Sequence, residues 1–428
     1  MPEKKSPLMK KLHIFTSAAC NYIPKVRMLF NSLREFHPEA ELHLLLADAP
    51  TELLDLSKEP FDTVTSLADM GVPHWQGWAF CHTIVELATA MKPLFLQRLL
   101  ARDDCDKVLY LDPDMVVFSR LDDILQSLDM ANITLTPHQV SPEQTIDAII
   151  DNELSSLKHG VYNLGFVGVA NKEEGHRFAA WWAHRTYHFC RAEIPNGLFT
   201  DQRWIDLVPA FFTGVAIQRS ARHNVATWNI TTREMTHDAE GRYLMDGEPL
   251  GFYHFTGFDS GAHKVMAVKN APGNVAVHEL IKWYEDSTRS LSQDPLSNVP
   301  WAFGTYSNGT KIDGVHRFLY RQRQDLQRVF PNPFDASTPH SLLSWMTRQG
   351  PLEYPALFDP ATSAVARVAM AANVGLIFDP EGTQPSGVSL GYRVAQIMQS
   401  PSEAVRLVRR GYEVLRTEGL PGVRRRLG

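Results

Sequence analysis

The chain has 428 residues, of which 44% are hydrophobic, and its formal net charge is −6. This length suits about two domains, or one large domain with an appendage, and the negative charge argues against general nucleic-acid binding. The four cysteines are scattered without a Cys-x-x-Cys pair, which argues against a disulfide framework and a zinc ribbon. The sequence contains no apolar run of the ~20 residues that a membrane span needs and no signal-peptide pattern, so a cytoplasmic protein is expected.

Strand and helix patterns alternate along the first half of the chain. Apolar, β-prone segments predict strands at 12–17, 42–47, 108–111 and 133–136. Apolar residues at three- and four-residue spacing predict helices at 22–36, 82–101 and 172–190. This alternation predicts an α/β fold in which helices wrap a sheet.

Two carboxylates lie one residue apart where the third predicted strand ends. Asp112 and Asp114 follow the apolar run 108–111, and a second apolar run begins at Met115. In α/β sheets, ligands bind at the carboxyl ends of the strands, and carboxylate oxygens there can hold a divalent cation and, through it, a diphosphate. A solvated turn, with its φ set by Pro113, is the alternative interpretation of this pair on its own.

Three further motifs follow the acidic pair: Val-Tyr-Asn-Leu-Gly-Phe at 161–166, Phe-Thr-Asp-Gln at 199–202 and Gly-Phe-Tyr-His-Phe-Thr-Gly at 251–257. With the segment 108–118, they resemble the Asp-x-Asp, Asn-x-Gly, Asp-Gln and His-x-x-Gly motifs of GT-A-fold glycosyltransferases, especially the retaining family-8 group. The resemblance covers roughly residues 10–265. It implies a Rossmann-like mixed sheet flanked by helices and a nucleotide-diphosphate sugar as donor.

The resemblance also implies a metal site. It makes Asp112, Asp114 and His254 the metal ligands, and it places Asn163 against the donor sugar. Carboxylate oxygens suit Mg²⁺ or Mn²⁺, and the added imidazole favours Mn²⁺. A hydrogen-bonded core histidine is the alternative for His254.

Asp201 and Gln202 match the pair that lies beside the anomeric carbon in the family. Asp201 is therefore expected to be the nucleophile or a charge stabiliser, and Gln202 to present a carbonyl to the developing cation. Both a covalent intermediate and front-face attack remain open. Thr200 is predicted to cap a helix that carries both residues, and an ordinary capped helix start is the structural alternative.

Two lysines are candidates for contacts with the donor. Lys92 lies on the helix before the acidic strand, where family members place a basic residue, although an ordinary surface lysine would also fit. After residue 257 the chain departs from the family, whose next residues, Lys-Pro-Trp, supply a lysine that binds the diphosphate. Here the sequence continues to Lys264, which is expected to replace that lysine from a longer loop.

The pattern breaks up between 292 and 304, which predicts a domain boundary. We expect a glycosyltransferase domain at 1–291, with a nucleotide-binding half at 1–120 and an acceptor half at 121–291, followed by a mainly helical and irregular extension at 292–428. The tail 401–428 carries seven arginines against three glutamates on a helical pattern. This pattern is typical of peripheral contact with an anionic membrane, and the alternative is a helix docked on its own protein.

The sequence as a whole predicts a metal-dependent, retaining glycosyltransferase in surface polysaccharide biosynthesis. Its expected donor is a UDP-sugar and its expected acceptor a glycan or a lipid-linked glycan. One alternative is a sugar-nucleotide nucleotidyltransferase, but such enzymes carry a Gly-rich basic loop where this chain reads Thr-Ser-Ala-Ala-Cys-Asn at 16–21. The other is a catalytically silent carbohydrate-binding or scaffold protein.

Overall fold

The computed structural model describes residues 10–371 and 375–382. The predicted basic tail at 401–428, with its membrane contact, lies outside the described residues. Within the described parts of the chain, no helix is both long enough and apolar enough to cross a membrane.

The strands, in chain order, are β1 (Lys11–Ala18), β2 (Glu41–Leu46), β3 (Thr63–Ser66), β4 (Cys105–Leu111), β5 (Met115–Val117), β6 (Ile133–Pro137), β7 (Tyr162–Ala170), β8 (Ala192–Glu193), β9 (Leu198–Phe199), β10 (Val215–Ile217), β11 (Met235–His237), β12 (Tyr243–Met245), β13 (Glu248–Pro249) and β14 (Phe252–His254).

The α-helices are α1 (Ile23–Phe36), α2 (Trp75–Phe80), α3 (Ile84–Leu100), α4 (Asp122–Met130), α5 (Ile146–Ala148), α6 (Leu154–His159), α7 (Glu173–Phe189), α8 (Val208–Phe211), α9 (Ala262–Asn270), α10 (Val275–Arg289), α11 (Gly314–Gln322), α12 (Gln324–Val329), α13 (Leu342–Arg348), α14 (Gly350–Glu353), α15 (Pro355–Phe358) and α16 (Ser363–Ala371). The predicted strands and helices of the first half agree with these bounds to within a few residues.

Seven strands form the central sheet, in the order β10-β6-β7-β4-β1-β2-β3. Strand β7 is antiparallel to its neighbours β4 and β6, whereas the other neighbouring strands are parallel. Strand β2 is almost wholly apolar and buried because layers of helices cover both faces of the sheet. The predicted α/β class, with a mixed sheet flanked by helices, is confirmed.

A short two-stranded ladder lies beside the end of β4. Strands β5 and β14 pair antiparallel, with Met115 opposite His254. Helix α1 packs here, and its Ser32 hydroxyl accepts a hydrogen bond from the Val117 amide at 3.1 Å. Pairing over more than a hundred residues of chain thus brings residue 254 to the acidic turn.

The described part of the extension after residue 291 packs on the same hydrophobic core as the sheet. Phe303, Tyr320 and Phe378 belong to one buried cluster with Phe15 and Tyr110 of the central strands. The predicted boundary near residue 292 stays a prediction, and the segment that follows it is a structural layer of this core.

Candidate active site

The acidic turn and the end of β14 bring three ligand-type side chains together. His254 Nε2 lies 3.1 Å from Asp114 Oδ1 and 3.8 Å from Asp112 Oδ2. One ligand atom from each of these three residues lies within 4.8 Å of the others. The structure therefore brings together the three residues that the sequence predicted as metal ligands.

Backbone hydrogen bonds fix the turn that carries the two carboxylates. The Met115 amide donates to the Asp112 carbonyl at 3.0 Å, and the Phe255 amide donates to the Asp114 carbonyl at 2.9 Å. The Asp112 amide in turn donates to the Gly165 carbonyl of β7 at 2.8 Å. Three separate strands thus hold the turn in place.

A glycine in β7 makes room for the imidazole. A Cβ added at Gly165 would lie 2.7 Å from His254 Cε1 and 2.5 Å from Met115 Cε, closer than real Cβ atoms approach. The site therefore has space for the His254 ring against the two carboxylates. Two carboxylates and an imidazole form a donor set that fits Mn²⁺, and also Mg²⁺.

The charges of the site are mutually stabilising. Burial alone would lower the pKa of His254, but the charges of Asp114 and Asp112 outweigh it and raise that pKa. Burial alone would raise the pKa of Asp114, whereas His254 lowers it. The carboxylates thus favour a positive charge at this point, which a proton on His254 or a divalent cation supplies.

Two buried groups hold the other oxygen of Asp112. Its Oδ1 accepts hydrogen bonds from the Tyr110 hydroxyl and, at 3.2 Å, from Lys92 Nζ. The same ammonium lies 3.2 Å from the Leu164 carbonyl and 3.4 Å from Asp201 Oδ2. Lys92 is only 2% exposed, so the surface-lysine alternative is wrong, and its ammonium joins the two predicted functional carboxylates.

Asp201 is only 2% exposed, and Lys92 joins it to Asp112, one of the predicted metal ligands. Burial raises the pKa of its carboxyl, and the charge of Lys92 partly offsets that rise. The predicted helix cap at Thr200 is wrong. Thr200 has a left-handed backbone with φ of 46°, its hydroxyl donates to Asp201 Oδ1 at 3.1 Å, and the following 3-10 helix begins at Arg203.

Asn163 and Gln202 lie in the same cavity and are held by their neighbours. Asn163 Oδ1 accepts from the Gly165 amide at 3.2 Å. Gln202 Oε1 accepts from the Leu164 amide at 2.9 Å, and Gln202 Nε2 donates to the His159 carbonyl at 3.0 Å. The amide oxygen of Gln202 is therefore engaged with β7, and its predicted contact with a developing cation stays a prediction.

These side chains open onto a cavity of about 490 Å³. This volume is in the range of small-molecule sites. Its walls come from the start of α3, the end of β6, the helical segment 152–159, strand β7 and the turn 199–202; among the lining residues are Thr83, Glu86, Lys92, Asp112, His138, Asn152, Ser155, Ser156, His159, Asn163, Gly165, Thr200, Asp201, Gln202, Trp228 and His254.

Lys264 is not brought to this cavity. Helix α9 begins at Ala262, and the Lys264 side chain is 71% exposed and lies 3.8 Å from Glu285 of α10. The sequence placed Lys264 in a loop, but the helix turns its side chain towards α10 instead. Tyr110, which the sequence analysis missed, does lie at the site, because its hydroxyl is bonded to Asp112, and its place two residues before the acidic pair was the available signal. Lys25 was also missed; it forms an ion pair with Asp259 in the loop after β14.

No protein-family model matches the chain. The uncharacterized protein YfnD of Bacillus subtilis (strain 168) is 30% identical over 255 residues, which are 58% of this chain and 79% of YfnD. The uncharacterized protein YfnF of the same strain is 24% identical over 300 residues, 66% of this chain and 93% of YfnF.

Among solved structures, galactosyltransferase LgtC in complex with donor and acceptor sugar analogues is 18% identical, with a TM-score of 0.41 over 68% of this chain and 97% of that one. The glycosyltransferase GlyE of Streptococcus pneumoniae TIGR4 is 17% identical, with a TM-score of 0.38 over 65% of this chain and 64% of that one. On its identity to YfnD and the share of YfnD that it covers, the chain belongs to the same family as that Bacillus subtilis protein.

Proposed function

We propose that this protein is a metal-dependent, retaining glycosyltransferase that moves a sugar from a nucleotide-diphosphate sugar to a glycan or lipid-linked acceptor in surface polysaccharide biosynthesis. The observation that carries the proposal is the convergence of Asp112, Asp114 and His254, of which Asp112 and His254 line a cavity of about 490 Å³ together with Asp201. The four motifs that resemble the retaining family-8 group all contribute to this one site, and by the same resemblance the donor is a UDP-sugar.

Asp112, Asp114 and His254 would hold the cation, with Mn²⁺ preferred over Mg²⁺. A divalent cation at this position supplies Lewis-acid stabilisation of the charge that builds on a departing diphosphate. The protein contributes a rigid, largely buried setting, because Tyr110 and Lys92 fix one oxygen of Asp112. Ligands fixed in this way do not have to reorganise during the reaction.

Asp201 is the residue that we assign to the reacting sugar. Its carboxylate is buried, faces the cavity and is held by Lys92 and Thr200, so its charge has a defined position. In that position it stabilises positive charge on the anomeric carbon or attacks that carbon. The acceptor would enter past the neutral side chains of Asn152, Ser155 and Ser156, which line the cavity on a different wall.

A panel of nucleotide sugars, each tested with and without Mn²⁺, checks the proposal and identifies the donor. A ligand at ~100 times its dissociation constant adds about 2.7 kcal/mol to the free energy of unfolding. We expect one nucleotide sugar to raise the melting temperature only when Mn²⁺ is present, and to be hydrolysed slowly without an acceptor. Stabilisation without hydrolysis would instead support a silent binding protein, and release of pyrophosphate from a nucleoside triphosphate and a sugar phosphate would support a nucleotidyltransferase.

A further inference from the structure

The chain lacks the Lys-Pro-Trp segment whose lysine binds the diphosphate in the family that it resembles, so another cationic side chain would have to bind the donor diphosphate. Of the two predicted lysines, Lys264 is exposed and directed to Glu285, and the Lys92 ammonium is enclosed by Asp112, Asp201 and a backbone carbonyl. A third lysine, Lys25, lies in the first turn of α1. Because β1 and β4 are parallel neighbours, this turn lies at the same sheet edge as the acidic pair.

The Lys25 ammonium is positioned by two side chains. It forms an ion pair with Asp259, lies 3.4 Å from the Tyr22 hydroxyl and stands 4.6 Å from the centre of the Tyr22 ring. The Tyr22 hydroxyl donates to Asp259 Oδ2 at 3.3 Å. Asp259 follows His254 by five residues, in the loop whose Phe255 amide is bonded to the Asp114 carbonyl.

Through its ion pair with Asp259, Lys25 contacts the loop whose Phe255 amide is bonded to the Asp114 carbonyl. Burial raises the pKa of the Tyr22 phenol, and the charges of Asp114 and Asp259 raise it further. Tyr22 and Lys25 therefore both contact the loop that follows β14, and the Phe255 amide at the start of that loop is bonded to the carbonyl of Asp114 in the acidic turn.

We propose that Lys25 binds the diphosphate of the donor, the role that the sequence had assigned to Lys264. This inference rests on the proposed function. The Asp259 side chain is 59% exposed, whereas Lys25 is 14% exposed. A phosphate oxygen can therefore replace Asp259 at the ammonium while the released carboxylate remains hydrated, so that neither exchange leaves a buried charge unpaired. The ammonium has three donors, which suit such an exchange.

Calorimetric titration of inorganic pyrophosphate in the presence of Mn²⁺ tests this inference without knowledge of the nucleotide. K25M removes a charge-assisted hydrogen bond, so we expect it to weaken pyrophosphate binding about 10- to 100-fold. K25R, which keeps the charge, should retain most of the binding, and the matched control K264M should bind like the wild type. D259N, which frees the ammonium, should bind at least as tightly as the wild type.

The same titration separates failure of this inference from failure of the proposed function. If D114N abolishes binding while K25M binds like the wild type, the metal site stands and the role of Lys25 is overturned. If the wild-type protein binds no pyrophosphate with Mn²⁺, or D114N binds it unchanged, the proposed function itself is contradicted. Thermal unfolding of each variant confirms that a weaker titration reflects the site, and K25R decides the matter if K25M is not folded.

Discussion

Asp201 carries its charge in one of the least exposed parts of the cavity, within 3.4 Å of the Lys92 ammonium. We expect Asp201→Asn to lower kcat at least 100-fold and to change donor affinity little, because the charge matters chiefly in the transition state. Steady-state kinetics with separate measurement of donor binding checks this. Asp147→Asn, at an exposed position on α5, is the control. Equal losses of kcat and of donor affinity would indicate a binding role instead.

Gly165 provides a second test, since no side chain fits between β7 and His254. Gly165→Ala should displace the imidazole, destabilise the fold by about 1–3 kcal/mol and weaken Mn²⁺ binding about 10-fold or more. Thermal unfolding and a Mn²⁺ titration measure the two effects. Gly273→Ala is the matched control, because nothing lies within 4 Å of its added Cβ. Unchanged Mn²⁺ binding in Gly165→Ala would contradict the site geometry.

At the scale of single residues, the sequence identified the groups whose motif is short and local. Asp112 and Asp114 stand next to an apolar strand, and His254 stands in a four-residue motif, so all three could be identified from the sequence. The contacts of Lys25 could not, because its partner Asp259 lies 234 residues away in the chain. Lys264 was misplaced because the length of the loop before α9 cannot be read from composition.

At the scale of elements, histidines link three neighbouring strands. His43 of β2 lies 2.9 Å from the ring of His13 on β1 and 2.7 Å from the Thr63 hydroxyl on β3. Burial, with the nearby charges of His13 and Arg102, lowers the pKa of His43 to about 3. An unfolded histidine has a pKa of about 6.5, so between about pH 3 and pH 6.5 His43 binds a proton in the unfolded chain but not in the folded protein.

This difference makes stability depend on pH. Because the folded pKa is lowered, the stabilisation is present above about pH 6.5 and is lost as the pH falls towards 3, by up to about 1.4 kcal/mol per pH unit. Urea unfolding at pH 7, 6 and 5 should show this loss, and His43→Gln should show a shallower one. The exposed His176→Gln is the control. An equal pH slope in wild type and His43→Gln would exclude His43 as a source.

Local sequence patterns predicted the strands and helices, but they did not predict which strands pair or in which direction. The three- and four-residue apolar spacing at 22–36 predicted α1, whose Val26, Leu29, Phe30 and Leu33 are buried. Nothing in the sequence of β7 shows that it runs antiparallel between β4 and β6, since a strand buried on both faces looks alike in either direction. The left-handed turn at Thr200 was also missed, because threonine is an ordinary helix cap.

At the scale of the whole molecule, a buried ion pair joins the segment after residue 291 to the part of the chain before it. Arg321 of α11 contacts Glu86, which is 5% exposed, and Glu86 also accepts from the amides of Thr83 and Ala192. Glu86 lines the cavity. The extension therefore supports the start of α3, which forms one wall of the site.

Loss of the Arg321–Glu86 ion pair should lower the free energy of unfolding. Arg321→Met leaves the Glu86 carboxylate buried without its cation, so we expect a destabilisation of about 3–5 kcal/mol. Denaturant unfolding measures it, with the exposed Arg348→Met as control. A loss below about 1 kcal/mol would show that this ion pair contributes little to stability. A chain cut after residue 291 that folds with unchanged stability would show that the predicted boundary separates two independent units.

In the proposed function, Asp112, Asp114 and His254 hold the cation for sugar transfer. The most direct measurement is release of the nucleoside diphosphate from the donor, by the wild-type protein and by Asp112→Asn, Asp114→Asn and His254→Gln, at saturating donor with and without Mn²⁺. We predict release by the wild type only with Mn²⁺, and at least a 100-fold loss in each folded variant. Release that needs no metal, or that continues unchanged in these variants, would show that these three residues do not hold a cation for the reaction.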